Sequence, residues 1–259
     1  PPTYHSDGQI LDEVFVYGSF VQSKMYHSGV GCVDCHQPHS AKLKAEGNQL
    51  CVGCHSSELF DTPKHHQHSV DLAATMDSNQ AQGIQCIDCH MPGRLYMGND
   101  YRRDHSFRIP RPDLSVAQGT PNACNDCHSK ESAEWAAEKI VQWYGPERPA
   151  HFSETLSAAA SQPNNAVEPL VSLLNDLSQP AIARATAASL LAPDISLPQV
   201  ERAIIHATND QSALLRTISV QTLNASANKV SPLLERLNDP VRAVRIAAAE
   251  GMVDVSENL

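Results

Sequence analysis

Aromatic residues are scarce in this chain of 259 residues, where phenylalanine, tyrosine and tryptophan together make up 5%. Aromatic side chains fill much of an ordinary protein core, so this share is small for a chain long enough for one large domain or two ordinary ones. The hydrophobic fraction of 41% still allows a packed fold. The sequence therefore predicts that something other than aromatic side chains fills part of the interior.

Positive charge and long apolar runs are also lacking. Lys and Arg number 19 against 29 Asp and Glu, and the formal net charge of −10 argues against nucleic acid as a partner. No apolar run approaches the roughly 20 residues of a membrane span, so none is predicted. No signal peptide is visible and the first residue is Pro1 rather than Met, so we expect a processed or trimmed chain.

Cysteine, by contrast, is present in one regular pattern. The eight cysteines form four pairs of identical spacing, and a histidine directly follows each pair. The motifs read CVDCH at 32–36, CVGCH at 51–55, CIDCH at 86–90 and CNDCH at 124–128. Two thiols three positions apart can each form a thioether with one vinyl group of the same haem, and the adjacent histidine then supplies the proximal nitrogen to its iron.

The four motifs therefore predict four covalently attached c-type haems. The predicted attachment residues are Cys32, Cys35, Cys51, Cys54, Cys86, Cys89, Cys124 and Cys127. The predicted proximal iron ligands are His36, His55, His90 and His128. Structural zinc, a thioredoxin-like redox pair and disulfide bridges are the alternatives for paired cysteines. None of these requires a histidine after every second cysteine, so the haem interpretation is favoured.

The chain changes in character near residue 150. Gly, Pro, Asn, Asp and Ser interrupt residues 1–130 every few positions, which predicts a loop-rich domain with short helices and a core made largely of porphyrin. A helix is predicted over 131–144, since Ala136, Ile140 and Trp143 fall on one face and Gly145 follows. We therefore expect a tetrahaem cytochrome c domain over 1–150 and a second domain over 151–259.

The second domain is rich in Ala and Leu and shows an internal repeat, in which an arginine follows each of three Asn-Asp dipeptides. The dipeptides lie at 175–176, 209–210 and 238–239, and the arginines are Arg184, Arg216 and Arg245. Each unit would be a helical hairpin that buries its apolar face by stacking on the next, which predicts an α-solenoid of the HEAT type. The alternative is a non-repeating helical bundle. The predicted fold class is thus mainly α.

Over residues 3–144 the chain resembles the doubled-CxxCH multihaem c-type cytochromes of bacteria, which often carry a HEAT or tetratricopeptide tail. The resemblance lies in the runs YHSDGQILDEVFVYGSFVQSKMY, GVGCVDCHQPHS, FDTPKHHQH, CIDCHMP, RRDHSFRIPRPDLS and GTPNACNDCH. It implies a periplasmic or extracellular protein in which most haems have two histidine ligands. Members of this family often have further CxxCH motifs upstream, which this chain lacks, so we expect a shorter relative or a fragment.

Histidines outside the motifs exceed the four distal ligands that four low-spin haems need. Near the motifs they are His5, His27, His39, His65, His66, His68 and His105. His39 lies only three residues after His36, with Pro38 between them, so we expect it to serve a haem other than that of its own motif. We predict His5, His39 and His105 as distal ligands. The HHQH cluster at 65–68 adds one or two more, and its sequence favours His66 or His68 without separating them.

Two other residue types near the motifs could contact haem. Met91 and Met97 follow the third motif, and with histidine in surplus we interpret both as packing residues rather than ligands. The only basic cluster either pairs with haem propionates through bidentate contacts or lies in a solvated loop. It consists of Arg102, Arg103, Arg108 and Arg111.

Two functions of different class remain. In the first, the irons are six-coordinate, electrons pass along packed haems, and the solenoid binds a redox partner protein. A variant is assembly into an extracellular haem filament, in which His5 or His27 reaches a haem of a neighbouring subunit. In the second, the protein is an oxidoreductase that acts on a small nitrogen or sulfur compound at an iron with an open position. The surplus of histidines favours the electron carrier.

Overall fold

The first part of the chain folds into short helices joined by turns, as its frequent Gly, Pro and Asn residues predict. The structure is a computed structural model that describes residues 3–69 and 83–253, and the chain divides into two compact units, Pro1–Arg148 and Pro149–Leu259. Described helices of the first unit span Val16–Phe20, Lys24–His27, Cys32–Cys35, Gln49–Val52, Ser57–Phe60, Pro63–His66, Cys86–His90, Pro112–Gln118, Ala123–Cys127 and Ala133–Tyr144.

The helix predicted near the end of this unit is confirmed as Ala133–Tyr144. Ala136 is completely buried, and Ile140 and Trp143 on the same face are half-buried. Gly145 ends the helix with a φ of 81°, a left-handed conformation that glycine adopts without steric cost.

A two-stranded antiparallel hairpin follows the third CxxCH motif, where the sequence predicted only loops and short helices. Strand Gly93–Tyr96 pairs with strand Asp100–Arg103, and Gly93 lies opposite Arg103. Strands of four residues are too short to show clear apolar alternation, which is why the pattern did not predict them. The hairpin returns the chain to the third motif and leads directly into His105.

The first unit has little apolar core of its own. Among its described residues the buried apolar side chains are Ile10, Phe20, Pro92, Pro112, Leu114 and Ala136. Every other buried apolar side chain lies in the second unit, between residues 156 and 248. A chain segment of nearly 150 residues normally buries far more, so the first unit has the interior of a domain that is organised around something other than polypeptide.

The second unit consists of paired helices around a continuous aliphatic core. Its described α-helices span Phe152–Ser161, Val167–Asn175, Ala181–Leu190, Pro198–Ala207, Ala213–Leu223, Val230–Arg236 and Arg242–Met252, with 3-10 turns at Pro163–Asn165 and Ala192–Asp194. The helix Ala213–Leu223 packs against Ala181–Leu190 on one side and Arg242–Met252 on the other, so equivalent helices of successive repeats stack. The predicted mainly α fold class is confirmed.

Two of the three repeated arginines, Arg184 and Arg216, link one repeat to the next. Each occupies the fourth position of its helix, and Arg184 donates to Asp210 at 2.7 Å. Arg216 makes the equivalent contact as a bidentate pair, with hydrogen bonds of 2.7 and 2.9 Å to the two carboxylate oxygens of Asp239. Each aspartate belongs to the Asn-Asp turn of the following repeat. The repeat seen in the sequence therefore corresponds to a ladder of buried ion pairs.

Within the described ranges, no helix is both long enough and apolar enough to cross a membrane.

Candidate haem-binding sites

Three of the four CxxCH motifs have both cysteines on a single turn of helix. The first, third and fourth motifs fall on Cys32–Cys35, Cys86–His90 and Ala123–Cys127, and the second begins in Gln49–Val52. Side chains three positions apart lie on the same face of a helix, so one turn presents both thiols of a motif in one direction. All eight cysteines, each of which lies within the described ranges, are free of disulfide bonds.

The motifs are neighbours in the order in which they occur along the chain. Burial raises the pKa of Cys35 in the first motif, and the nearby Cys51 of the second motif raises it further. The thiols of Cys51 and Cys86 are hydrogen-bonded, which lowers the pKa of Cys51 to about 7 and raises that of Cys86. Burial, followed by the nearby Cys124, raises the pKa of Cys89 to about 11.

The pKa values of the third and fourth motifs do not match a thioredoxin-like pair. Such a pair depends on a thiol whose pKa is lowered by its surroundings. Here burial raises the pKa of Cys89, Cys124 and Cys127, and the hydrogen bond with Cys51 raises that of Cys86. Both thiols of the third motif and both thiols of the fourth motif are therefore weak nucleophiles at neutral pH. No group of three or more His, Cys, Asp or Glu residues among those described is arranged to hold a metal ion.

Three of the four CxxCH histidines face a histidine from outside the motifs. The ring centroids of His36 and His105 are 6.4 Å apart and their planes differ by 25°. His90 faces His65 at 6.1 Å with planes 13° apart. His128 faces His68 at 6.1 Å with planes 29° apart.

These separations fit two imidazoles on opposite sides of one metal ion. A histidine nitrogen lies about 2 Å from the metal it binds, and the ring centroid lies about 1 Å farther out, so two opposed rings have centroids about 6 Å apart. Offset aromatic pairs also occur at such distances. The composition of the pairs favours the first explanation, because each pair joins one predicted proximal ligand to one histidine from elsewhere in the chain.

Hydrogen bonds orient several of these rings through Nδ1. Nδ1 of His36 donates to the carbonyl oxygen of Ala41 at 2.7 Å, and Nδ1 of His90 donates to that of Arg108 at 2.7 Å. Nδ1 of His105 donates to the carbonyl oxygen of Arg103 at 2.9 Å. A proton on Nδ1 leaves the lone pair of Nε2 available, which is the usual arrangement of a metal-binding histidine.

The hydrogen bond made by Nδ1 also distinguishes His66 from His68. Nδ1 of His68 lies 2.5 Å from the carbonyl oxygen of His66 and donates to it, so Nε2 of His68 is free to bind iron. Nδ1 of His66 instead accepts from the backbone N–H of His68 at 3.2 Å, which places the ring proton on Nε2. The geometry therefore favours His68 as a ligand and disfavours His66.

Within the HHQH cluster, the sequence did not favour His65 as a ligand. It lies on the single helical turn Pro63–His66, and its ring faces His90. Burial, together with the nearby His90, lowers its pKa, so the ring is neutral at neutral pH, as a metal ligand must be. Three histidines within four residues gave no sequence signal that could distinguish this one.

The remaining predicted distal ligands have other surroundings. His39 is exposed, and His5 lies near Asp7, Arg94 and Arg108, with a pKa that burial lowers. Neither ring faces another histidine ring within the described ranges, so their ligation stays a sequence prediction. His55, the proximal histidine of the second motif, has the ring of Phe60 beside it at 6.0 Å in a perpendicular orientation.

Protein groups bind all four arginines of the basic cluster. Arg102 pairs with Glu13 and Asp100, Arg108 with Asp7 at 3.8 Å, and Arg111 with Asp113 at 2.7 Å. Arg103 donates to the carbonyl oxygens of Ile87 and Met91 at 3.1 Å each, which stabilises the end of the third-motif helix. These contacts give the cluster a structural role, which is neither of the two alternatives, propionate binding or a solvated loop, that the sequence left open.

The residues of the first unit fit a large apolar cofactor. Its large apolar side chains are often exposed, among them Val33 within the first motif, Leu43 after it and Phe60 after the second. A porphyrin ring lying against such side chains would remove them from water and supply the apolar interior that the polypeptide lacks.

Comparison with known proteins supports the paired CxxCH motifs of the first unit and the HEAT-type repeat of the second. Residues 26–59 match the family model for the doubled CXXCH motif, and residues 230–259 match that for the HEAT repeat. The crystal structure of the outer cell wall cytochrome OcwA is similar over 85% of this chain, with 16% identity and a TM-score of 0.32. This chain spans 51% of the length of that protein. No curated protein is similar enough to match the chain.

Proposed function

We propose that this chain, which carries the doubled CxxCH motif of multihaem c-type cytochromes and a HEAT repeat, transfers electrons through four covalently bound haems. Residues 1–150 are the proposed tetrahaem domain and residues 151–259 the proposed HEAT-like domain. The observation that carries the proposal is the pairing of three predicted proximal histidines with three histidines from elsewhere in the chain.

Paired histidines suit an electron carrier better than a catalyst. A haem iron exchanges single electrons between its ferric and ferrous states. Irons bound by His36, His90 and His128 would each have a second histidine as a ligand, so a substrate would find no open position at them. The same residues would hold each iron in both oxidation states, which would keep structural change on electron transfer small.

The order of the motifs supports a continuous path for electrons. Cys51 neighbours Cys35 and Cys86, and Cys89 neighbours Cys124, so each motif adjoins the next one along the sequence. Haems attached at adjoining motifs would lie close to one another. Electrons would then enter near one end of the series and leave near the other.

The proposed setting is the periplasm or the cell exterior, as the resemblance to doubled-CxxCH cytochromes implies. The partners proposed are redox proteins that bind the solenoid, whose stacked repeats form the kind of extended surface that such proteins use for binding. Self-association into a haem filament is a further form of the same function.

Mass spectrometry and a reductive titration test the proposal together. Denatured protein should retain four haems by mass, and the native protein should take up four electrons per chain. A variant with Cys32 and Cys35 both replaced by alanine should lose one haem and one electron. Fewer than four haems in the unmodified chain, or irons that bind substrate instead of exchanging electrons, would contradict it.

An oxidoreductase is the second candidate function, and one observation favours it. His55 has no histidine ring opposite it, although all thirteen histidines of the chain lie within the described ranges. An iron bound by His55 would therefore differ from the other three.

A further inference from the structure

One helix of the first unit contacts histidines at two of the proposed haem sites. We propose that Trp135 and Tyr144, near the two ends of the helix Ala133–Tyr144, are positioning residues that hold the axial ligands His128 and His65 of two successive haems. This inference rests on the proposed pairing of histidines across the irons, and it adds the residues that orient two of those histidines.

A short turn joins the fourth CxxCH motif to this helix. The backbone N–H of Glu131 donates to the carbonyl oxygen of His128 at 3.0 Å. The side chain of Asn125, within the motif, donates to the carbonyl oxygens of His128 and Glu131 at 3.2 and 2.9 Å. Ser132 then caps the helix by accepting a hydrogen bond from the N–H of Trp135 at 3.2 Å. These bonds hold the first turn of the helix in a defined place beside His128.

The indole ring of Trp135 packs against the imidazole ring of His128. Their centroids are 4.9 Å apart and their planes differ by 47°, which is an aromatic contact. Nζ of Lys139, one helical turn later, lies 6.0 Å from the centroid of the same indole, at a favourable cation–π distance. His128 is exposed and Trp135 is half-buried, so the indole is the more firmly held of the two rings. Because rotation of the imidazole toward the indole is blocked at this distance, Trp135 restricts the plane of His128.

The other end of the helix meets the HHQH cluster. The hydroxyl of Tyr144 donates a hydrogen bond to the backbone carbonyl oxygen of His65. The same hydroxyl meets the side chain of Gln67, and Cys89 of the third motif lies close to it. His65 lies on the single helical turn Pro63–His66, and one turn of helix is marginally stable by itself. A hydrogen bond from a helix of three turns therefore stabilises the position of His65.

The two contacts act on different irons. Trp135 meets the proximal ligand of the fourth haem, and Tyr144 meets the proposed distal ligand of the third. The two residues lie about 14 Å apart along the helix axis, so each reaches one of the two sites. Groups that orient a metal-binding histidine tune the metal it holds. Since the spectrum of a low-spin haem depends on the angle between its two imidazole planes, each residue should affect the spectrum of one iron.

Electron paramagnetic resonance of the ferric, fully haem-loaded protein tests this inference. Trp135→Leu should shift the g values of one low-spin iron and Tyr144→Phe those of another, with all four haems retained. The double variant should show both shifts together. Trp135→Phe keeps a ring beside His128 and should restore most of the unmodified spectrum. Trp143→Leu is the matched control and should leave the spectrum unchanged, because Trp143 is half-buried on the same helix and its ring meets no histidine ring in the described part of the chain.

The possible results separate this inference from the proposed function. Fewer than three low-spin irons in the unmodified protein would overturn the histidine pairing and this inference together. With at least three present, unchanged spectra in both variants would overturn the positioning role and leave the pairing intact. Equal shifts in Trp135→Leu and Trp143→Leu would show that the helix only supports the fold, and a shift of the same iron by Trp135→Leu and Tyr144→Phe would also overturn the inference. Loss of the fourth haem from Trp135→Leu, with Trp143→Leu unaffected and Trp135→Phe restored, would support it as a shift would.

Discussion

The imidazole rings of His36 and His105 lie with their centroids 6.4 Å apart and their planes 25° from parallel, although they come from distant parts of the chain. Each ring donates through Nδ1 to a backbone carbonyl oxygen, at 2.7 Å for His36 and 2.9 Å for His105. Both therefore keep Nε2 free for a metal. This is the arrangement expected of two axial ligands that share one iron.

Replacement of His105 by alanine should convert one haem to a high-spin form and leave all four covalently attached. The thioethers and His36 are unaffected by the change, whereas the sixth ligand of the first haem is lost. Electron paramagnetic resonance should show one additional high-spin iron per chain. His206→Ala is the control, because His206 is exposed on the helix Pro198–Ala207 of the second unit, which is proposed to bind no haem, and it should leave the spectrum unchanged. An unchanged spectrum in His105→Ala would contradict the assignment of His105 as the sixth ligand.

His65 and His66 provide a comparison between adjacent residues. His65→Ala should create one high-spin iron, because the ring of His65 faces His90 at 6.1 Å. His66→Ala should not, because Nδ1 of His66 accepts a hydrogen bond and Nε2 carries the proton. The optical spectra of the two ferric variants distinguish these outcomes. Equal effects of both substitutions would show that the cluster rearranges around the haem.

The sequence predicted the proximal side of each site because that chemistry is local. A cysteine pair and the following histidine lie within five consecutive residues, so their spacing alone identifies them. The distal side depends on tertiary contacts, and neighbouring histidines such as His65 and His66 point in different directions that the sequence does not specify. The charged contacts were unpredictable for the same reason, since Arg102 meets Glu13 and Arg108 meets Asp7 across long sequence separations.

The solenoid was predictable because its repeat is regular. The three arginines, 32 and 29 residues apart, occupy the same position in equivalent helices, and Arg184 and Arg216 each pair with the aspartate of the following Asn-Asp turn. The sequence of the hairpin formed by Gly93–Tyr96 and Asp100–Arg103 shows no such regular pattern. Its strands are held by backbone hydrogen bonds, which any sequence can make.

Asp239→Asn should destabilise the second unit by about 2 kcal/mol, because it removes the charge that two hydrogen bonds from Arg216 require in a buried site. Asp176→Asn is the matched control. Asp176 makes the same turn contact, accepting from the N–H of Ser178 at 3.0 Å as Asp239 does from Val241 at 2.8 Å, but it is exposed. Denaturant unfolding followed by helical circular dichroism measures both. Equal losses for the two variants would assign the stability to the turn rather than to the ion pair.

Low pH should lower the free energy of unfolding of the second unit through protonation of Asp239. Hydrogen bonds from Arg216 hold the pKa of Asp239 below its usual value in the folded state. The ion pair therefore contributes full stability above the ordinary aspartate pKa of about 4, and this contribution is lost as the pH falls through the lower folded value. The free energy of unfolding should decline below about pH 4 in the unmodified chain and decline less in Asp239→Asn. Identical pH dependence in the two proteins would exclude this ion pair as the cause.

Quantitative electron paramagnetic resonance of the ferric holoprotein tests the central claim most directly. The account predicts at least three low-spin irons per chain, one for each pair of facing histidines at His36, His90 and His128. Fewer than three low-spin irons in a chain that holds four haems would show that the facing rings do not share an iron, and the electron-carrier proposal would fail.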